Sequence, residues 1–133
     1  MFEGKYTELP DSSPIPLIQL QIRQSESIPS ISSQGILDTG ADCTLVPFSI
    51  ISQLQAVKLI RGRNTSVIYG VGKQKIIVVP YRVEISFNGS EFVRIKAYAC
   101  PDTDTDGLTI LGRNFLNRYC ITFNGRAKKF LIE

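Results

Sequence analysis

An all-β, closed barrel-like fold with one or two short helices is what this sequence predicts. Three observations carry the prediction. Apolar and polar residues alternate along Leu17 to Arg23, two Asn-Gly pairs each stand between β-rich runs, and helical spacing is confined to two short stretches, after Pro47 and after Gly112.

In chain order, residues 1–15 carry Pro10, Pro14, charges of mixed sign and the run Asp11-Ser12-Ser13, which reads as a flexible N-terminal arm ahead of one domain over 16–133. Ile18, Leu20 and Ile22 then alternate with Gln19, Gln21 and Arg23, the period of a half-buried strand. After a polar link, Ser25 to Ser33, the short apolar strand Gly35-Ile36-Leu37 runs directly into Asp38-Thr39-Gly40-Ala41. Cys43 to Val46 is extended again, and Pro47 opens a short helix through Leu54 with Ile50, Ile51 and Leu54 on one face. Thr65 to Tyr69 and Gln74 to Val79 flank Gly70-Val71-Gly72, as expected for a mobile hairpin with a glycine-softened tip. Tyr81 to Phe87 and Phe92 to Ala99 are joined by Asn88-Gly89, and Cys120 to Phe123 and Lys128 to Ile132 by Asn124-Gly125. Between these hairpins Leu108 to Leu111 reads as a strand, followed by Gly112-Arg113-Asn114 and then Phe115, Leu116 and Tyr119 at helical spacing.

Composition narrows the chemistry. The chain has 133 residues, long enough for one domain that buries about two-thirds of its unfolded surface. It contains no histidine, which excludes Ser-His-Asp and Cys-His nucleophile systems and every metal site that needs imidazole. Acid-base work near neutral pH must fall to carboxylates, Lys, Tyr or Cys. Fifteen Lys and Arg against twelve Asp and Glu leave +3, scattered rather than massed, so nucleic acid is not an expected partner. The three cysteines, Cys43, Cys100 and Cys120, are widely spaced and odd in number, and read as reduced thiols rather than a zinc site. No run approaches a membrane span, and the N-terminus lacks a signal-peptide pattern; a soluble, cytoplasmic protein without membrane contact is expected.

Asp38-Thr39-Gly40 is the leading candidate for chemistry. A carboxylate at the end of an apolar strand, followed by a small hydroxyl residue and Gly, sits in a sharp turn where backbone N–H groups can hold its charged form. The plainer reading is an Asp that bonds only its own turn. A rival motif is Asp102-Thr103-Asp104-Thr105-Asp106-Gly107, which mimics the opening of a calcium loop. The twelfth position is Arg113 where a bidentate Glu is required, so an acidic surface loop is the better account.

Context adds to the tripeptide. Ile36-Leu37-Asp38-Thr39-Gly40-Ala41-Asp42 resembles the active-site strand of the retropepsins, the single-domain retroviral-type aspartic proteases. Ile68-Tyr69-Gly70-Val71-Gly72 looks like their flap, and Ile110-Leu111-Gly112-Arg113-Asn114 with a short helix looks like their second landmark. The three stand in the family's order and together span about Pro16 to Phe123.

The resemblance implies an aspartic endopeptidase working as a homodimer on an extended peptide, with no metal or organic cofactor. Two Asp38 carboxylates, one per subunit, would share a proton and activate water. By similarity Thr39 would lock the pair across the two-fold axis, Gly40 would admit the substrate backbone, and the flap tip would cover the peptide with Val71 N–H meeting its carbonyls through a water. Tyr69 would either line a substrate pocket or pack within the hairpin. Asp42 and Arg113 match a family ion pair that braces the active-site loop. Ala41 cannot give the extra hydrogen bond that a Ser would, which implies a weakly acidic rather than strongly acidic optimum. The sequence departs from the viral pattern after Phe123: Asn124-Gly125 turns the chain back into Arg126 to Glu133, as in cellular and bacterial retropepsin-like proteins, which puts the usual interleaved-termini interface in doubt. The alternative from another class is a non-catalytic dimerisation or peptide-binding module on the same fold.

Overall fold

In the computed structural model, residues 1–54, 57–58, 66–69 and 75–133 are described. Thirteen strands and two short α-helices were found among them. The alternation seen in the sequence becomes β4, Leu17–Arg23, whose Ile18, Leu20 and Ile22 are buried while Gln19 is exposed. It turns antiparallel into β5, Ile31–Leu37. Next come β6, Thr44–Pro47, every residue of it buried, and α1, Phe48–Leu54, which lays Ile51 and Leu54 on the core.

Lys75–Ser86 is one continuous strand, β9, where the sequence implied two runs broken at Pro80. The reason is positional. One side of β9 pairs with β8, Ser66–Tyr69, as far as Val78, and with β7, Val57–Lys58, from Tyr81. Pro80 falls in the gap between those partners, where a residue without an N–H is tolerated.

Strand β9 turns at Asn88-Gly89 into β10, Val93–Cys100, with Val93 opposite Ile85 through Ala99 opposite Val79. Ser86 and Asn88 side chains supply the acceptors of this turn: Ser86 Oγ takes the N–H groups of Asn88 and Gly89, and Asn88 Oδ1 those of Ser90 and Glu91. Gly89 sits at φ 79, the left-handed conformation for which glycine carries no penalty.

A single 3₁₀ turn, Asp102–Asp104, leads to β11, Thr109–Leu111, and α2, Arg113–Leu116. Strand β11 inserts between β5, to which it is parallel, and β6, to which it is antiparallel. Because β10 pairs with both β6 and β9, and β9 with β4, the order β9-β10-β6-β11-β5-β4 returns to β9 and closes a six-stranded barrel. Its interior is filled by Ile18, Leu20, Ile22, Leu37, Val46, Val83, Ile85, Ile95, Ala97, Ala99 and Leu111, with Phe115 and Leu116 of α2 packed against them. Rings of Phe87, Phe115 and Tyr119 meet at 5.0–5.4 Å between centroids, within the range for favourable edge contacts. Outside the barrel, Glu84 is buried between Arg23 at 2.7 Å and Arg94 at 3.1 Å.

Residues 1–15, expected as a flexible arm, instead form three strands: β1, Phe2–Lys5; β2, Thr7–Leu9; and β3, Ser12–Ile15. Strands β2 and β3 make a small hairpin, and β1 pairs with the last strand, β13, Lys129–Ile132. With β12, Ile121–Asn124, they form a separate sheet in the order β1-β13-β12. Gly4 explains how the arm is held. Phe130 lies buried directly over it, leaving no room for a Cβ, so only glycine lets β1 cross the ring. Tyr6 N–H then donates to Lys128 O at 2.8 Å. Among the described residues no helix is long and apolar enough to cross a membrane.

Candidate active site

The loop between β5 and β6, residues 38–43, straddles the end of the inserted strand β11. Its start is fixed by two backbone bonds: Leu37 N–H donates to Pro16 O at 3.1 Å, and Asp38 N–H to Leu111 O at 3.0 Å. The chain then turns sharply. Gly40 N–H reaches back to Asp38 Oδ1 at 2.9 Å, and Ala41 N–H to Asp38 O at 3.2 Å. The Gly40 donor fixes the direction of the Asp38 carboxylate, and the Ala41 donor closes the turn on the backbone. Asp38 is half-buried, while Thr39 and Gly40 are exposed.

Helix α2 clamps the other side of the loop. Arg113 N–H donates to Ala41 O at 2.9 Å, and its guanidinium donates to Thr39 O at 2.7 Å and pairs with Asp42. The Asp42 side chain is 88% exposed and that of Arg113 40%, so the ion pair itself contributes little and the backbone bonds matter more. Gly112 completes the clamp: it packs so closely on the Cys43 backbone that a side chain would overlap the Cys43 peptide.

Thr44 and Asn114 also hold this region, and sequence reasoning missed Thr44. Its buried hydroxyl accepts the Gly112 N–H at 3.2 Å and donates to Asn114 Oδ1 at 2.8 Å, while Asn114 Nδ2 donates to Lys96 O at 2.8 Å. Only the buried position of a polar residue between Cys43 and Leu45 could have pointed to it, and burial is not visible in one sequence.

Beside the loop lies a second small apolar cluster: Leu45, Val78 and Cys100, with Cys43, Ile76, Tyr98 and Ile110 packed on it. Burial pushes the Cys43 thiol up; burial, with Asp104 nearby, pushes Cys100 up to about 11, so both stay protonated and unreactive near neutral pH. Of the flap residues, Ile68 and Tyr69 lie in β8, opposite Ile76 and Lys75 of β9; Gly70, Val71 and Gly72 lie outside the described residues. In the acidic loop, Asp102 Oδ1 accepts the Ser49 N–H at 3.1 Å, and hydrogen bonds from Ser49 hold its carboxyl below its ordinary value. Among the described residues no three His, Cys, Asp or Glu side chains gather as metal ligands.

No family model and no curated protein matches the sequence. Solved structures do match. The EIAV protease in complex with the inhibitor HBY-793 is 23% identical, covers 84% of this chain and 93% of its own, and superposes with a TM-score of 0.57. A retropepsin-like aspartic protease from Rickettsia conorii is 16% identical, covers 98% of this chain and 90% of its own, with a TM-score of 0.59. At these identities the likeness is one of fold, and the chain has the fold of the retropepsin-like aspartic proteases.

Proposed function

We propose that the protein is an aspartic endopeptidase that acts as a homodimer, with Asp38 of each copy forming the catalytic pair. The observation that carries this reading is the Asp38-Thr39-Gly40 turn at the end of β5: a carboxylate held by Gly40 N–H, its loop clamped to α2, and its Thr39-Gly40 crest exposed to meet another molecule. One chain supplies one such carboxylate. Asp42, the other acid in the loop, is engaged by Arg113, and in this reading a second copy supplies the second acid, as the resemblance to the retropepsins implies.

Two carboxylates so placed cannot both ionise easily and share one proton. The ionised member takes a proton from water as its oxygen attacks the peptide carbonyl carbon, and the protonated member donates to the carbonyl oxygen. Collapse of the tetrahedral intermediate breaks the C–N bond as a proton passes to the leaving amine. Thr39 positions the pair, and an extended peptide adds as a strand between the β8–β9 hairpin and the loop, its apolar side chains facing the cluster of Leu45, Ile76, Val78 and Ile110. No metal or organic cofactor enters this chemistry. With Ala41 beside the acids, the optimum is weakly acidic.

The test is cleavage of a mixed peptide library, followed by mass spectrometry over a concentration series. Wild type should cleave, Asp38→Asn should not, and wild-type activity should fall more than proportionally on dilution. If both proteins are equally inert while both dimerise and bind peptide, the molecule is a binding module instead.

A further inference from the structure

Basic residues that are scattered along the chain are gathered by the sheet on one outer face. Strand register sets Arg23 opposite Glu84 and Glu84 opposite Arg94, and in the next row Arg82 opposite Lys96. Their neighbours Ile22, Val83 and Ile95 fill the barrel, so by the alternation of side chains the four cations and one acid lie outside it. That face holds three positive charges in excess, as many as the whole chain carries. Glu84 cannot neutralise the rest: its Oε1 accepts from Arg23 Nε at 2.7 Å, and its Oε2 from Arg94 Nε at 3.4 Å and Nη2 at 3.1 Å. Arg94 is thereby held by one edge of its guanidinium, with Nη1 left for another acceptor. Arg82 and Lys96 make no ion pair among the described residues, and no Asp or Glu occurs in the segments 55–56, 59–65 and 70–74 that lie outside them. Like charges directly opposite each other on a sheet are destabilising.

A depression of about 180 Å³ opens here, lined by Gln24, Ser25, Arg82 and Arg94. Ser25 Oγ donates to Gln24 Oε1 at 3.3 Å, which occupies the amide's acceptor and leaves its Nε2 hydrogens. Glu26, the next residue, is exposed and does not line the depression. The lining therefore offers donors and positive charge and no carboxylate. We propose that this depression binds a phosphate group, with Arg82 and Arg94 gripping its oxygens and Gln24 Nε2 adding a further donor. Guanidinium forks match phosphate oxygens in spacing and charge, and Glu84 fixes one of the two forks in advance. A phosphate brings three acceptor oxygens and nearly two charges where a carboxylate brings two oxygens and one, and it offsets the repulsion between Arg82 and Lys96. The volume holds such a group and a few waters of about 30 Å³ each. The site stands apart from the proposed function: Leu17 opposes Ile36 at one end of β4, and Gln24 lies just past the other end, roughly 20 Å away.

The test is titration of the full chain with sodium phosphate at constant ionic strength, followed by calorimetry and by amide NMR signals. Binding should saturate and shift the signals of Gln24, Ser25, Arg82 and Arg94, while chloride and acetate should do neither. Arg82→Gln removes an exposed side chain that makes no hydrogen bond among the described residues, and should weaken phosphate about tenfold or more. Arg82→Lys, which keeps the charge without the fork, should weaken it less, and Lys5→Gln, the same loss of charge on the terminal sheet, should leave it unchanged. A phosphoserine peptide that binds more tightly than inorganic phosphate assigns the group to another protein, and one that binds equally or less tightly assigns it to free phosphate; both support the site. No saturable binding of either, unchanged affinity in Arg82→Gln, or an equal loss in Lys5→Gln overturns it. So does tight binding of single-stranded RNA when phosphate fails to saturate, which would make this a nucleic-acid face instead.

Discussion

Gly112→Ala tests whether the clamp between α2 and the loop 38–43 governs the site. A Cβ at position 112 would overlap the carbonyl carbon and oxygen of Cys43 and stand 2.9 Å from its nitrogen, and all three are backbone atoms that cannot rotate away. Restoring ordinary contact of about 3.5 Å requires the loop and helix to separate by about 1 Å. That displacement stretches the Arg113 N–H to Ala41 O bond from 2.9 Å and the guanidinium bond to Thr39 O from 2.7 Å. Overpacking of this kind costs about 1–3 kcal/mol, which corresponds to a fall in Tm of about 3–12 °C for a chain of this size. A 1 Å misplacement of a catalytic group costs about 100-fold in rate, so activity should drop further than stability explains. Gly125→Ala, where a Cβ meets nothing within 4 Å, is the control, and Gly35→Ala, opposed mainly by the movable Leu20 Cδ1 at 2.6 Å, should fall between them. Thermal melts and peptide cleavage on the three variants decide it. A Gly112→Ala protein that melts and cleaves like Gly125→Ala refutes the clamp.

Two further predictions concern charge. Asp42→Asn should cost under about 1 kcal/mol because its ion pair is exposed, whereas Arg113→Ala should cost about 1–2 kcal/mol by also removing the bond to Thr39 O; urea unfolding distinguishes them, and equal losses would place the brace in the ion pair. At Glu84, burial alone would raise the carboxyl, but hydrogen bonds from Arg23 and Arg94 outweigh it and hold it below its ordinary 4.5. Since the folded group titrates lower than the unfolded one, its stabilisation is complete above the unfolded value and is lost as pH falls through the folded one. Glu84→Gln should therefore be less stable than wild type by about 1–2 kcal/mol at neutral pH, with the gap closing in melts below pH 4.5; a gap independent of pH would contradict this.

Local signals in the sequence were accurate where structure is local. The Asn88-Gly89 hairpin, the alternating strand 17–23, the short helices and the sharp turn at Asp38 all depend on neighbours a few residues away. Pairing that depends on distant residues was not legible. Strand β1, with Gly4 and two charges in four residues, has little intrinsic strand preference, and only Phe130 and the β13 ladder make it one. Pro80 looked like a break because the gap between β7 and β8 that excuses it is a fact of the sheet. Likewise Thr44 gains its role from Asn114, 70 residues on.

Phe2 stands directly across from Ile132, and this ordering constrains how the protein can be made. Strand β1 precedes its partner β13 by the whole length of the barrel, so during synthesis it has no ladder until the barrel strands between them have been made, and its contacts are strongly non-local. The barrel strands from β4 to β11 can meet sooner, so closure of the terminal sheet should be a late event in biosynthesis. Until it happens, Phe130 and the hairpin that carries it lack the strand that crosses the ring at Gly4.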